Sequence, residues 1–198
     1  RQTKLMKILE PLKSNSSYHC VVPFSGGKDS ASIAYKLKFE YGLNPLLVTF
    51  SPLIPNEVGE INRQKFVDLG FDHVMVRPNG KVARSLARRF FIERGNPKVA
   101  WDAGIISAPI KTALEKNIKL IFFAEHGENH YGGKVLKKDS DKLRDLNEIY
   151  EHVIGDDPKN WVDETVKEKD IIPYSMPKLK ELQKKKVKAY YFAYFDDW

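Results

Sequence analysis

Cysteine is almost absent from this chain: Cys20 is the one thiol in 198 residues. That excludes an internal disulfide and any zinc site built on several thiolates. Because Cys20 opens the apolar run Cys20-Val21-Val22-Pro23-Phe24, it reads as a core residue rather than a nucleophile. Long hydrophobic runs are missing too. No stretch approaches the ~18 apolar residues of a membrane-spanning helix, and no charged-then-apolar leader opens the sequence. The expectation is a cytoplasmic protein with no membrane partner. Internal repeats and low-complexity tracts are also absent.

What is present is enough apolar material for one core: 42% of the residues are hydrophobic, in a chain too short for two ordinary domains. Lys and Arg outnumber Asp and Glu by 33 − 26 = 7. That balance suits RNA, phosphorylated substrates or a solvated surface. The clearest basic run, Lys184-Lys185-Lys186, ends a helical pattern where cations oppose the helix dipole. The first 17 residues carry a short amphipathic pattern (Leu5, Ile8, Leu9, Leu12) broken by Pro11, and read as a peripheral arm ahead of a domain over 18–198. The start at Arg1 and the stop after an apolar run lead to the expectation that segments are missing at both ends.

The chain is organised around Ser25-Gly26-Gly27-Lys28-Asp29-Ser30, which stands between the first apolar strand and a helical pattern from Ala31. Two adjacent glycines let a polyphosphate approach the backbone and permit positive φ, so successive N–H groups converge on one anion. Lys28 adds a positive charge. Asp29 or Ser30 is positioned to cap the helix, and the Asp29 carboxylate is an alternative ligand for magnesium. The spacing is not Walker A, which needs glycine where Val22 stands and Ser or Thr where Asp29 stands. It is not GxGxxG either. The hexapeptide resembles the PP-loop of the ATP pyrophosphatase superfamily, whose SGGxDS signature implies binding of the pyrophosphate of ATP while the α-phosphate is attacked.

Further along, apolar runs alternate with helical patterns. Strands are expected at 20–24, 46–50, 73–76, 118–124 and 187–195. Helices are expected over 31–41, 58–69, 81–94, about 103–116 with Pro109 inside, around 143–153, and from Ser175 and Pro177 onward. Continuous apolar strands between helices argue for an α/β fold with a parallel β-sheet covered by helices on both faces. Ligands of such sheets bind beyond the carboxyl ends of the strands. That rule selects the loops at 25–30, 49–56 and 125–133. The second is placed to meet the adenosine half of ATP through Thr49, Phe50 and nearby backbone. The third, Glu125-His126-Gly127-Glu128-Asn129-His130-Tyr131-Gly132-Gly133, offers Glu125 or Glu128 for magnesium or for orienting a nucleophile; its glycines argue against a zinc pair on a helix at His126 and His130.

Four longer stretches narrow the resemblance: Tyr41-Gly42-Leu43-Asn44-Pro45-Leu46-Leu47-Val48-Thr49-Phe50, Ala103-Gly104-Ile105, Glu125 to Gly133 with its Tyr-Gly-Gly ending, and the closing Tyr194-Phe195-Asp196-Asp197-Trp198. With the hexapeptide they make residues 18–198 similar to the N-acetyl sugar amidotransferases of the PP-loop superfamily, enzymes of pseudaminic-acid, legionaminic-acid and O-antigen sugar pathways. The resemblance implies ATP and Mg2+, and AMP-forming replacement of an acetamido oxygen by nitrogen on a nucleotide sugar. Lys28, Asp29, Glu125 and Glu128 would be catalytic, Ser25 to Ser30 with Thr49 and Phe50 would bind ATP, and Asp29 and Glu125 would hold the metal. Cysteines that some relatives carry ahead of the Ala103-Gly104 segment are not in this chain, so any zinc role does not transfer. A glutaminase needs an activated cysteine, which a buried Cys20 would not provide, so a separate glutaminase subunit is the expected source of ammonia. The rival readings are a PP-loop tRNA-modifying enzyme of the lysidine synthetase kind and a non-catalytic ATP-binding module. Nucleic acid is the less favoured partner, because the basic residues are spread over several helices and no RNA-binding module is recognisable.

Overall fold

Five parallel strands form one sheet in the order β3-β2-β1-β4-β5. They are β1 (Cys20–Pro23), β2 (Pro45–Phe50), β3 (His73–Val76), β4 (Leu120–Phe123) and β5 (Lys188–Tyr191). The structure, a computed structural model, describes residues 2–12, 17–124 and 156–195. The chain winds outward from β1 through β2 to β3, then returns to the other side of β1 for β4 and β5. The order therefore reverses between β1 and β4, and that switch point is where open parallel sheets take their ligands.

Side chains alternate across the sheet. Val21, Leu46, Val48 and Phe50 join one core with residues of α4 (Gly80–Arg94) and α5 (Val99–Glu115). Cys20, Val22, Phe24 and Leu47 join a second core with Leu5 and Leu9 of α1 (Gln2–Leu9) and Ile33 and Ala34 of α2 (Lys28–Tyr35). The expected parallel sheet covered on both faces is what forms. The segment expected to be a peripheral arm docks onto this second core, with Leu5 and Leu9 fully buried.

Most elements lie where the sequence places them, with corrections at their ends. α2 starts at Lys28 instead of Ala31 and passes into a π-helical turn, Lys36–Glu40, before Gly42 ends it at φ +68. α3 (Glu57–Asp68) is capped by Asn56, whose side chain accepts from the Gly59 amide at 2.6 Å. α5 begins at Val99, ahead of the expected start near 103, so Trp101 is helical. The helix expected from Ser175 runs Leu179–Lys184, because the Ser175 hydroxyl turns back to the Ile171 carbonyl at 2.9 Å. β5 stops at Tyr191 and gives way to a 3-10 turn, Phe192–Tyr194. The helix expected around 143–153 lies outside the described residues, as does the 125–133 loop.

Candidate active site

The 25–30 loop follows β1 at the carboxyl edge of the sheet, beside the switch point. Gly26 turns the chain at φ +80, a conformation that costs other L-residues about 1–2 kcal/mol. A Cβ there would also stand 3.1 Å from the Gly59 carbonyl and 3.4 Å from Arg63 Cγ. The loop is thus pressed against α3, and glycine is the residue that fits.

Ser30 ties the loop to itself. Its hydroxyl accepts from the Ser25 amide at 3.2 Å, meets the Ser25 hydroxyl at 3.2 Å and donates to the Gly27 carbonyl at 3.2 Å. The Ser25 hydroxyl in turn accepts from the Gly27 amide at 3.1 Å. Neither Asp29 nor Ser30 caps α2 as the sequence suggested: Gly27 holds the cap position without a side-chain bond, and Asp29 lies in the first turn. The first intrahelical bond runs from the Ala31 amide to the Gly27 carbonyl at 3.0 Å. The amides of Lys28, Asp29 and Ser30 precede it, at the positive end of the helix dipole. Lys28 is exposed and Asp29 half-buried at the same place. The first-turn amides of α2, an exposed ammonium and the positive end of the helix dipole make a site that suits an anion such as a polyphosphate.

Two residues that sequence reasoning missed hold this loop from α3. Asn62 Nδ2 donates to the Gly26 carbonyl at 3.0 Å, and Arg63 Nη1 to the Ser25 carbonyl at 3.4 Å. Arg63 is 6% exposed. Its Nη2 sits against the Glu60 carboxylate as an ion pair without an aligned hydrogen bond. A guanidinium lodged under the loop adds positive charge beneath the cradle as well as rigidity. The only sequence signal was position: α3 follows the second carboxyl-edge loop and so had to pass the first.

Thr49, expected to face adenosine, is buried, and its hydroxyl is engaged within the protein. It donates to the Phe24 carbonyl, so the 2.8 Å contact with His73 Nε2 places the proton on that nitrogen. Burial, and then the Arg63 charge, push the His73 pKa down, against a smaller opposing pull from Glu60. The Phe50 ring is also buried, edge-on to Tyr174 with centroids 5.6 Å apart. Glu125 and Glu128 lie outside the described residues.

Cys20 is fully buried, and burial pushes its thiol pKa far above the ordinary range. A protonated, enclosed sulfur is no nucleophile. As for magnesium, no group of three His, Cys, Asp or Glu side chains gathers among the described residues. Magnesium bound through substrate phosphates needs one or two carboxylates, and Asp29 stands at the cradle to be one. No helix among the described residues is long and apolar enough to cross a membrane.

No protein-family model and no curated protein matches this chain. Among solved structures, it is similar to a predicted tRNA methyltransferase subunit of Methanocaldococcus jannaschii, with 26% identity over 61% of this chain and 58% of the other, at a TM-score of 0.37. An NH3-dependent NAD synthetase of Campylobacter jejuni, in complex with nitrate, shares 17% identity over 78% of this chain and 77% of that one, at a TM-score of 0.47. The U34-tRNA thiolase NcsA of Methanococcus maripaludis, with its 4Fe-4S cluster, shares 16% identity over 93% of this chain and 61% of that one, at a TM-score of 0.38. The chain thus spans less than two thirds of the first and third of these. The site is defined by this chain's own geometry: a parallel α/β sheet with the 25–30 turn and the N-terminus of α2 at its switch point.

Proposed function

We propose that this chain is an ATP-dependent, AMP-forming ligase of the PP-loop kind that converts the acetamido group of a nucleotide sugar into an acetamidino group. The observation that carries the ATP part is the cradle: the SGGKDS loop at the switch point, turned by Gly26 at φ +80 and held by Asn62 and Arg63. The sugar part rests on the sequence resemblance.

An amide carbonyl is a poor electrophile toward ammonia because its oxygen leaves badly. In the proposed reaction that oxygen attacks the α-phosphorus of ATP, the bond to the β-phosphate oxygen breaks, and pyrophosphate leaves. Ammonia then adds to the imidate carbon and AMP departs with the former acetamido oxygen, a proton being lost from nitrogen. The first-turn amides of α2, Lys28 and the nearby Arg63 would stabilise the charge that gathers on departing pyrophosphate, the kind of electrostatic help that dominates such transfers. Asp29 would hold magnesium, which supplies charge neutralisation on the phosphates. Glu125 and Glu128 are proposed to act from the third loop, and ammonia is proposed to come from a separate glutaminase, in keeping with the enclosed Cys20.

A second reading, a tRNA-modifying relative, draws on one observation: Lys81, Arg84 and Arg88 are exposed at i, i+3 and i+7 along α4. Such a stripe suits a phosphate backbone. The deciding experiment is a mass-spectrometric screen of UDP- and CMP-linked acetamido sugars with ATP, magnesium and an ammonium salt. The proposed chemistry yields a product one mass unit lighter than the substrate, with pyrophosphate. Tight, salt-sensitive tRNA binding with no sugar product would favour the second reading.

A further inference from the structure

The half-buried carboxylates of this chain divide into two groups. Among the described residues they are Asp29, Asp102, Asp156, Asp157 and Asp170. Asp156 accepts from Arg94, Asn160 and the Trp161 indole, Asp157 from the Lys159 amide, and Asp170 from the Lys167 amide. Asp29 and Asp102 make no side-chain hydrogen bond or ion pair with any described residue. A carboxylate partly withdrawn from water and given no donor costs the fold free energy, so these two point to ligands rather than to packing.

Both stand at the carboxyl edge of the sheet. Asp29 lies in the first turn of α2 and Asp102 in the first turn of α5. α5 packs across β2, β1 and β4 and leads into the amino end of β4, so its own first turn is at the carboxyl edge. Gly104, two residues beyond Asp102, is pressed against Phe50 at the end of β2. Pro23 of β1 pairs with Val48 of β2, which sets Phe50 level with Ser25. α2 packs on one face of the sheet, in the core of Cys20, Val22 and Phe24. α5 packs on the other, in the core of Val21, Val48 and Phe50. The cradle and Asp102 therefore flank the ends of β1 and β2 from opposite faces.

Charge decides what Asp102 meets. The cradle side offers amides, Lys28 and Arg63 to anions, whereas a carboxylate on the opposite face repels phosphate and attracts a cation. Lys98, one turn earlier, forms no ion pair with it, and burial pushes the Asp102 carboxyl up more than the Lys98 charge pulls it down. A carboxyl raised in this way is the better proton acceptor. We infer that Asp102 receives the incoming nitrogen, binding it as ammonium and taking the proton that it sheds as it attacks. In that step one proton passes from ammonium to the Asp102 carboxylate, and the lone pair so freed forms the nitrogen–carbon bond at the neutral imidate. The carbon–oxygen bond then breaks with its electron pair leaving on AMP, and the product is the amidinium cation. The ammonium site follows from the carboxylate and its setting; the attack on an imidate rests on the reading proposed above.

The test has two arms on the full chain. In the first, carboxyl carbon-13 spectra of aspartate-labelled protein are recorded during titration with ammonium chloride and, at matched ionic strength, with tetramethylammonium chloride, the Asp102 signal being identified with Asp102→Asn. That signal should move with ammonium and stay with tetramethylammonium, which has no N–H to donate; equal responses overturn the site. In the second, ATP–pyrophosphate exchange reports attack at the α-phosphorus and mass spectrometry reports the amidino product, with the acetamido nucleotide sugar that the screen above yields. Asp102→Asn should keep exchange within about threefold of wild type while the amidino product falls about a hundredfold, the low end of what a positioned proton acceptor contributes. Asp102→Glu should recover part of the product with a cooperative melt. Loss of exchange and product by equal factors, or loss of neither, overturns the role in nitrogen attack. An ammonium response at Asp102 with no exchange in the wild type keeps the nitrogen site and overturns the sugar reading instead.

Discussion

The Phe50 ring occupies the space where a side chain on Gly104 would begin: a Cβ there would lie 2.6 Å from Phe50 Cδ1 and closer still to Cε1 and Cζ. The last residue of β2 and the second turn of α5 are thereby locked in contact at the carboxyl edge. Gly104→Ala should push the ring toward Tyr174 and destabilise the fold by about 1–3 kcal/mol, the usual cost of overpacking. Urea denaturation followed by circular dichroism measures it. A variant as stable as wild type would show that Phe50 can move aside freely.

Arg63 is the anchor of the cradle that no motif announced. Arg63→Met keeps much of the buried stem and removes the charge and the bond to the Ser25 carbonyl. Turnover should fall by about tenfold or more, through looser placement of the phosphates, with ATP affinity reduced less. Arg63→Lys should not restore it, since a point charge cannot reach both Ser25 and Glu60 as a planar fork does. Full rescue by Lys would assign Arg63 a charge effect alone.

Lys28 and Asp29 stand in the first turn of α2, exposed and half-buried and outside the core, so replacing either by Ala should leave the melting transition nearly unchanged while lowering kcat/KM. Groups that stabilise transition-state charge in comparable settings contribute about 3–4 kcal/mol each. Pyrophosphate release assays on the two purified variants check this, and wild-type rates in both would remove the cradle from the chemistry.

His73 couples pH to stability. Its pKa is lowered in the folded protein, so the folded state binds fewer protons than the unfolded one, and stability is fully present above the unfolded value of 6.5 and lost as pH falls below it. Thr49, Phe24, Arg63 and Glu60 are the groups around it. His73→Gln, which keeps a donor for Thr49, should flatten the acid limb. Thermal melts of both proteins between pH 7 and 5 should diverge on acidification; parallel curves would contradict the coupling.

Much of this architecture was legible because local and global signals agree. Uninterrupted apolar runs such as Leu120–Phe123 announced buried parallel strands, and adjacent glycines after such a run announced the turn at Gly26. What stayed hidden depends on packing between distant segments. Arg63 looks like any polar residue of a solvated helix until α3 is laid under the loop. Trp101 sits after Pro97 and reads as loop, yet tertiary contact starts α5 ahead of it. Thr49 carries a hydroxyl at a strand end, where ligand binding is the natural expectation; only the fold brings His73 and the Phe24 carbonyl within reach of it.

The most direct test of the central claim follows one oxygen atom. A nucleotide sugar labelled with oxygen-18 in its acetamido group is incubated with the protein, ATP, magnesium and ammonia, and the AMP is weighed by mass spectrometry. Attack of the acetamido oxygen on the α-phosphorus at the cradle predicts oxygen-18 in the AMP and none in the pyrophosphate. Unlabelled AMP, or ADP with phosphate in its place, would contradict it.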